Sequence, residues 1–443
     1  MDKTCEPLAA AETERLLQPL ARFSAIVLAV SGGADSLALL YLVAGWRTCL
    51  PVPAPALYAA TVDHGLRAAS AAEAEIVAGH CRALGVPHST LVWPGLKPKS
   101  GLANAAREAR YGLLEQFARS IADASSTVAV VAAHHQDDQA ETFMMRLARG
   151  SGVDGLSVMA PARPLSSNAP VELLRPLLDV PKARLVASLQ ARGVTWIDDP
   201  SNGDVRSERV RVRGTLSALA AIGVDAAALA TTARRMRGAR EAIDFATAQF
   251  KASLAVSFND EIFASFDRAA FERAPALLRG RVLHELIARF GGASPEPALS
   301  DIEALVDALA ARATLAVTLG GAVVSSGARG VRIWREAGRL SQPDVELAPG
   351  QSQLWDKRFW VSAGPSSTCP VTVRPLGADG YRWVAGGLRP GSRPPSRAAH
   401  ALPSFWVDGQ LVAVPALARL LATRPGGHSG TDGSLRADPV FST

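Results

Sequence analysis

Cysteine is rare in this chain. Cys5, Cys49, Cys81 and Cys369 are the four in 443 residues, and no two of them form a C-x-x-C pair. Such spacing argues against a disulfide scaffold, a zinc ribbon and an iron–sulfur cluster, and leaves reduced, mostly structural thiols as the expectation. Long apolar runs are missing too: nothing reaches the ~18 residues of a membrane span. The first residues, "MDKTCEPLAAAETERLL", carry acids early and lack an apolar h-region, so they do not read as a signal peptide. A cytoplasmic protein with no membrane contact is expected. Finally, the first glycine-rich turn, "SGGADS", has no lysine after it and no G-x-G-x-x-G pattern around it. That excludes both a Walker-type loop and a standard dinucleotide turn.

What is present points to a globular enzyme with an anionic partner. Hydrophobic residues make up 48% and charged residues 20%, and the length implies two or three domains. The net charge is +6, supplied mostly by arginine. A basic surface suits nucleic acid, although charge alone does not separate that from a basic background.

The first half alternates strands and helices. "SAIVLAV" (Ser24–Val30), "ALYAATVD" (Ala56–Asp63), "HSTLVW" and "STVAVVAAHH" read as strands, with helical periodicity between them. This order implies an α/β fold with a doubly wound parallel sheet. Residues from about Leu216 to Ala311 are alanine-rich and helical, and short strands set in glycine and proline follow from about Thr314. The expected division is a catalytic domain over 1–215, a helical domain over 216–330 and a small mixed, β-containing domain over 331–443.

"SGGADS" (Ser31–Ser36) sits between the first strand and a helix, where backbone N–H groups and the helix dipole favour an anion. Gly32 and Gly33 allow close approach, Ser31 and Ser36 add hydroxyls, and Asp35 beside phosphate calls for a bridging Mg²⁺. Three further patches lie at carboxyl ends of strands or in the following helices, the ligand edge of such a sheet. Asp63 and His64 end the second strand. Arg107 and Arg110 share a helix face and suit phosphate. Asp137, Asp138 and Glu141 start a helix at spacings that let them converge on a cation, Mg²⁺ or an ammonium group. The bland readings are a capped turn for the loop, N-terminal capping for the acids, a solvated face for the arginines and structural histidines for His64, His134 and His135. Phe143, Met144 and Leu147 read as core.

The order strand–"SGG-x-DS"–helix resembles the PP-loop of N-type ATP pyrophosphatases, which split ATP between its α- and β-phosphates. "SGGADS", "DHGLR", "AREARY", "HHQDDQAET", "RGSGVDGL", "RPLL" and "DDPSN" further resemble, in this order, the tRNA(Ile)-lysidine synthase family. The likeness is dense over about Ile26 to Arg213 and returns near "VTVRPLG" and "LPSFWVDGQLVAVP". The resemblance implies an adenine nucleotide alpha hydrolase-like PP-loop domain that uses ATP and Mg²⁺. It implies a ligase that joins free L-lysine to carbon 2 of the wobble cytidine of a CAU-anticodon isoleucine tRNA through an adenylated intermediate. Ser31, Gly32, Gly33, Ala34, Asp35 and Ser36 would then hold the phosphates, with Asp35 on Mg²⁺ and Asp63 and His64 at the nucleotide edge. Arg107 and Arg110 would stabilise charge at the reaction centre, and Asp137, Asp138 and Glu141 would recognise lysine.

Arg206, Arg209, Arg211 and Arg213 in "DPSNGDVRSERVRVR", with Arg234 and Arg235 in "ARRMRGAR", offer basic faces to tRNA. Val210 stands where the family commonly has Asn, which removes one polar contact. A homodimer is left open. A tRNA thiolase would need catalytic cysteines or a cluster, and an amidotransferase would need a glutaminase nucleophile that Cys5 does not suit. The non-enzymatic alternative, an RNA-binding protein with a decayed nucleotide site, sits poorly with intact Asp35, Asp137, Asp138 and Glu141.

Overall fold

A computed structural model describes residues 6–65, 70–98, 100–122, 126–165, 171–198, 208–292, 294–328, 330–340, 344–367, 369–389, 393–420 and 435–440. The chain divides into two compact units, Met1–Glu241 and Ala242–Thr443. Among the described residues, no single helix is long and apolar enough to cross a membrane.

The first unit runs α1 (Ala10–Leu17), β1 (Ala25–Ala29), α2 (Ala34–Thr48), β2 (Ala56–Asp63), α3 (Ser70–Ala83), β3 (His88–Val92), α4 (Leu102–Ser120), β4 (Val128–Val131), α5 (Gln136–Leu147), α6 (Val153–Leu156), β5 (Ala162–Pro164), β6 (Val171–Leu174), α7 (Lys182–Gln190) and α8 (Glu208–Leu219). Its sheet has the order β3-β2-β1-β4-β6-β5. All pairings are parallel except β5 with β6 at the edge. β1 is buried along its whole length because both faces are covered. Ile26 and Leu28 enter one apolar cluster with Leu37 and Leu40 of α2 and Leu185 and Leu189 of α7. Ala25, Val27 and Ala29 enter another with Leu114 and Ala118 of α4. This two-residue alternation turns one short apolar run into the wall between two cores. The strand order reverses beside β1, so the crevice at the carboxyl ends of β1 and β4 is the ligand position of such a sheet.

The doubly wound, mostly parallel sheet is therefore present, with two strands that the sequence did not suggest, β5 and β6. "VELL" forms β6, and a turn leads from it to α7. The fourth strand is shorter than "STVAVVAAHH": it ends at Val131, although the Ala132 N–H still donates to the Leu174 carbonyl at 3.0 Å.

The long α9 (Ala226–Ser253) runs through the boundary between the units. Its start packs Leu229 and Ala233 against Ala140 and Phe143 of α5, with Met144 at the margin. Leu147, expected in the core, is 48% exposed. The second unit contains β7 (Phe263–Phe266), α10 (Arg268–Glu272), α11 (Ala276–Gly291), α12 (Leu299–Ala311), β8 (Leu315–Leu319), β9 (Ala322–Gly327) and β10 (Gly330–Arg335), then β11 (Val345–Leu347), β12 (Ser352–Trp355), β13 (Phe359–Ala363) and β14 (Val371–Pro375). β7-β10-β9-β8 form one sheet. The expected boundaries at 215/216 and 330/331 fall inside α8 and β10, because β7, within the alanine-rich stretch, pairs with β10.

A buried ion pair ties β10 to the β12–β13 turn. Arg335 and Asp356 are 0% and 1% exposed. Arg335 donates Nε to Asp356 Oδ2 at 2.7 Å and Nη2 to Oδ1 at 2.8 Å, and donates also to the carbonyls of Gly321 and Arg339. A fork this well satisfied holds the fold only while both partners stay. Asp356→Ala should cost about 3–5 kcal/mol by stranding the guanidinium in the core, read as an earlier urea transition of the second unit.

Candidate active site

The turn after β1 is shaped by one glycine. Gly32 has φ +84°, and a Cβ there would stand 2.8 Å from Ile197 Cδ1 and 3.2 Å from Val77 Cγ2. Its carbonyl accepts the Ile197 N–H at 3.0 Å, so residues behind the turn press it into place. Gly33 is the N-cap of α2, and no side chain caps that helix end. Ser36 is buried and turned inward. Its hydroxyl donates to the Gly33 carbonyl at 3.0 Å and accepts the Ser31 N–H at 3.1 Å. It braces the loop, while Ser31 stays exposed. The result is an uncapped helix start beneath a rigid turn, an anion site in the backbone itself.

Beside it lies a knot of opposite charge. His135, 4% exposed, is the N-cap of α5, and its backbone N–H donates to Asp138 Oδ2 at 3.0 Å. Its ring stands 3.4 Å from Asp35, 3.6 Å from Asp137 and 3.5 Å from Asp138. These are ion-pair distances. Burial alone would depress its pKa, but the carboxylates of Asp137, Asp35 and Asp138 outweigh it and raise the value to about 10. His135 is therefore an imidazolium. Asp35 answers in kind: burial opposes its ionisation, yet His135 and Lys182 hold it below the usual carboxylate range. Burial likewise opposes ionisation of Asp137, and His135 with the Lys182 N–H, which donates to Asp137 Oδ2 at 2.9 Å, lowers it. Lys182 Nζ donates to Asp35 Oδ2 at 3.0 Å.

Asp137 and Asp138 thus converge on His135 together with Asp35, whereas their spacing had grouped them with Glu141. Glu141 turns to a different partner. It is 2% exposed and Oε1 accepts from Arg213 Nε at 2.8 Å and Nη2 at 2.7 Å, linking α5 to α8. Among the described residues, no group of three or more His, Cys, Asp or Glu side chains is arranged to hold a metal ion alone. Asp35 Oδ1 is buried without a hydrogen-bond partner. It can offer one oxygen to a cation whose other ligands are phosphate oxygens and water, which is how Mg²⁺ is usually held.

A cationic field adjoins the acids. His134 is neutral, its pKa pushed down to about 2 by burial and by Arg175, Arg110, Arg107 and Arg209. Those four arginines come from α4, the end of β6 and α8. Arg107 and Arg163 stand 5.3 and 5.6 Å from the Tyr111 ring, over a cavity of ≈ 400 Å³ lined also by Asn104, Glu108 and Leu165. Arg163 and Arg175 were not singled out from the sequence. "RPLL" was the available signal for Arg175, because that residue follows the carboxyl end of a strand. Asp63 is committed to a turn, accepting the Gly65 N–H at 2.8 Å. His64 packs edge-on against Trp93 at 5.7 Å, and burial with Arg110 lowers its pKa.

Among the proposed tRNA contacts, Arg209 joins the cationic field and Arg213 holds Glu141. Arg234 pairs with Asp179 at 3.0 Å, and Arg235 is exposed on α9. Arg211 is exposed on α8, beside half-buried Val210. Arg206 lies outside the described residues.

Residues 6–219 match the model of the PP-loop domain. The chain is 39% identical over 387 residues to a tRNA(Ile)-lysidine synthase from Ruegeria pomeroyi, covering 87% of each. It is 43% identical over 346 residues to the enzyme of the same name from Bradyrhizobium sp., covering 74% of this chain and 94% of that one. Among solved structures, it is similar to the U34-tRNA thiolase NcsA from Methanococcus maripaludis at a TM-score of 0.42 and 17% identity, over 51% of this chain and 77% of that one.

The His135 imidazolium sets a pH dependence. Its folded pKa of about 10 lies above the ordinary 6.5. Its contribution is therefore complete below pH 6.5 and lost as pH rises through 10. Wild type should be more stable than His135→Gln at pH 6.5, and urea unfolding should show the gap shrinking by up to about 1.4 kcal/mol per pH unit on the way to pH 10. A gap that stays constant over that range would mean that His135 is neutral.

Proposed function

The chain belongs to the tRNA(Ile)-lysidine synthase family, and on that premise we propose how its residues carry out lysidine formation on a CAU-anticodon isoleucine tRNA. ATP adenylates the oxygen on carbon 2 of the wobble cytosine and pyrophosphate leaves. The ε-amine of free L-lysine then attacks carbon 2, and AMP departs with that oxygen. Adenylation is the reason for consuming ATP, since it converts a poor leaving oxygen into a good one. The product reads AUA instead of AUG, and the tRNA accepts isoleucine instead of methionine.

The observation that carries the assignment of roles is the meeting of three charge environments at one sheet edge. The uncapped start of α2 and the N–H groups of the Gly32–Gly33 turn bind the phosphates. Mg²⁺, when bound, neutralises phosphate oxygens, and Asp35 is the residue that would hold it. Arg107, Arg110, Arg175 and Arg209 form the field that receives the charge of the tRNA backbone and of the adenylated intermediate. Asp137 and Asp138 bind the ammonium of the incoming lysine, where partial desolvation strengthens the attraction. A carboxylate of this group takes the proton that the amine must lose before attack. Glu141 acts at one remove: paired with Arg213, it positions α8 and with it Arg209. Arg211, Arg213, Arg234 and Arg235, with Arg206, lie on segments that contact tRNA, and Asp63 and His64 frame the nucleotide edge.

Purified protein with ATP, Mg²⁺, labelled lysine and either isoleucine or elongator-methionine tRNA tests the reading. Label should enter only the isoleucine tRNA, with AMP and pyrophosphate released. Label entering both tRNAs, or neither, overturns it. Asp35→Ala should lower turnover by about 10²–10³ or more, as for other electrostatic groups at a reaction centre, while tRNA affinity by filter binding stays near wild type. A parallel loss of tRNA affinity would remove Asp35 from the phosphate site.

A further inference from the structure

The loop Ser31–Ser36 lacks the lysine that Walker-type loops carry beside the β- and γ-phosphates, yet the structure brings a lysine to it from another element. Lys182 is the first residue of α7, after the N-cap Pro181. Two carboxylates hold its two ends: Asp137 accepts the backbone N–H at 2.9 Å, and Asp35 accepts Nζ at 3.0 Å. α7 is fixed against α2 through Leu185 and Leu189, so the backbone of Lys182 is rigidly placed. Its side chain is 45% exposed and its ammonium contacts Asp35, whereas Asp35 is 28% exposed in the first turn of α2. The ammonium therefore sits at the mouth of the phosphate turn, on a stem anchored from the far side.

We propose that Lys182 is the phosphate lysine of this site: its ammonium leaves Asp35 for the β- and γ-phosphates when ATP binds, and holds pyrophosphate as it leaves. This rests on the adenylating reading above. An arriving polyphosphate is the stronger anion and lies within the sweep of a lysine stem whose contact to Asp35 is single and half exposed. Such a contact is weak and cheaply exchanged. A guanidinium would grip the carboxylate with two parallel bonds and release it less readily. That gives a reason for lysine here in a chain whose positive charge is mostly arginine. During adenylation the cytosine oxygen forms a bond to the α-phosphorus. The bond from that phosphorus to the bridging oxygen breaks, and its electron pair goes to pyrophosphate. Negative charge therefore grows where the Lys182 ammonium would stand, which favours the transition state over the ground state. Asp35, relieved of the ammonium, is open to the cation that accompanies the nucleotide.

Calorimetric titration of wild type, Lys182→Met and Lys182→Arg with ATP, pyrophosphate and AMP, each with Mg²⁺, tests the assignment. Lys182→Met should weaken ATP and pyrophosphate by about 10- to 100-fold, the loss of a charge-assisted hydrogen bond. Its AMP affinity should stay within about twofold of wild type, a change too small to count as a lost contact, and that shows the fold and the nucleoside site to be intact. Lys182→Arg should recover only part of the pyrophosphate affinity, because Asp35 releases a guanidinium less readily. Unchanged ATP and pyrophosphate affinities in Lys182→Met, or an AMP affinity that falls by the same factor, would overturn the role and leave Lys182 as a structural partner of Asp35. Wild type that binds none of the three would overturn the adenylating reading itself.

Discussion

Three carboxylates stand within 3.4 to 3.6 Å of one buried imidazole, and the first unit is organised around that fact. Asp35 starts α2, Asp137 and Asp138 start α5, and His135 caps α5 at the end of the chain leaving β4. Without a cation among them, three acids so close would repel, and each would resist ionisation in its partly buried position. The imidazolium removes that conflict and fixes where two helices begin. Lys182 extends the same solution to α7. The ligand edge of the sheet is thus held by charges as well as by the apolar cores beneath it. The same charges make it a site for ions, because any entering group must exchange with one already present.

The loop depends on this arrangement in turn. Its backbone is set by Gly32, which has no room for a Cβ, and by the inward hydroxyl of Ser36. Neither residue is left to neutralise a phosphate. Cationic charge reaches the loop from elements remote in sequence: Lys182, whose ammonium donates to Asp35, lies 147 residues from it. A helix N-terminus attracts an anion but contributes only about half a charge, so a polyphosphate needs those remote cations.

Much of this was legible from the residues. β1 is a continuous apolar run with both faces covered, β2 a mostly apolar run beside it, and the helix after "SGGADS" begins where its glycines place it. Asp137 and Asp138 were legible because a first helical turn favours acids. Glu141 carried the same spacing argument, but helical spacing speaks only for one helix. Its carboxylate is buried against α8, and Arg213 decides its direction. β6 and β7 were not legible because each is four residues long without the longer apolar run that marks β4, and each is a strand only by its partners, β4 and β10. Lys182, Arg163 and Arg175 share that obstacle: their meaning lies in contacts across the sheet.

The adjacent histidines show how the site keeps its two charge fields apart. His135 has extended backbone, in which a residue and its neighbour point their side chains to opposite sides, and His134 is that neighbour. One faces arginines and is neutral down to about pH 2, and the other faces carboxylates and is charged up to about pH 10. A single peptide unit therefore marks the border between a cationic and an anionic field. Were the arginines and the acids in direct contact, they would pair with each other and offer nothing to a substrate. Holding them on opposite sides of one strand end keeps the two sets from pairing with each other. The proposed reaction needs that separation, because it must bring a cationic amine and a polyanionic RNA to the same carbon.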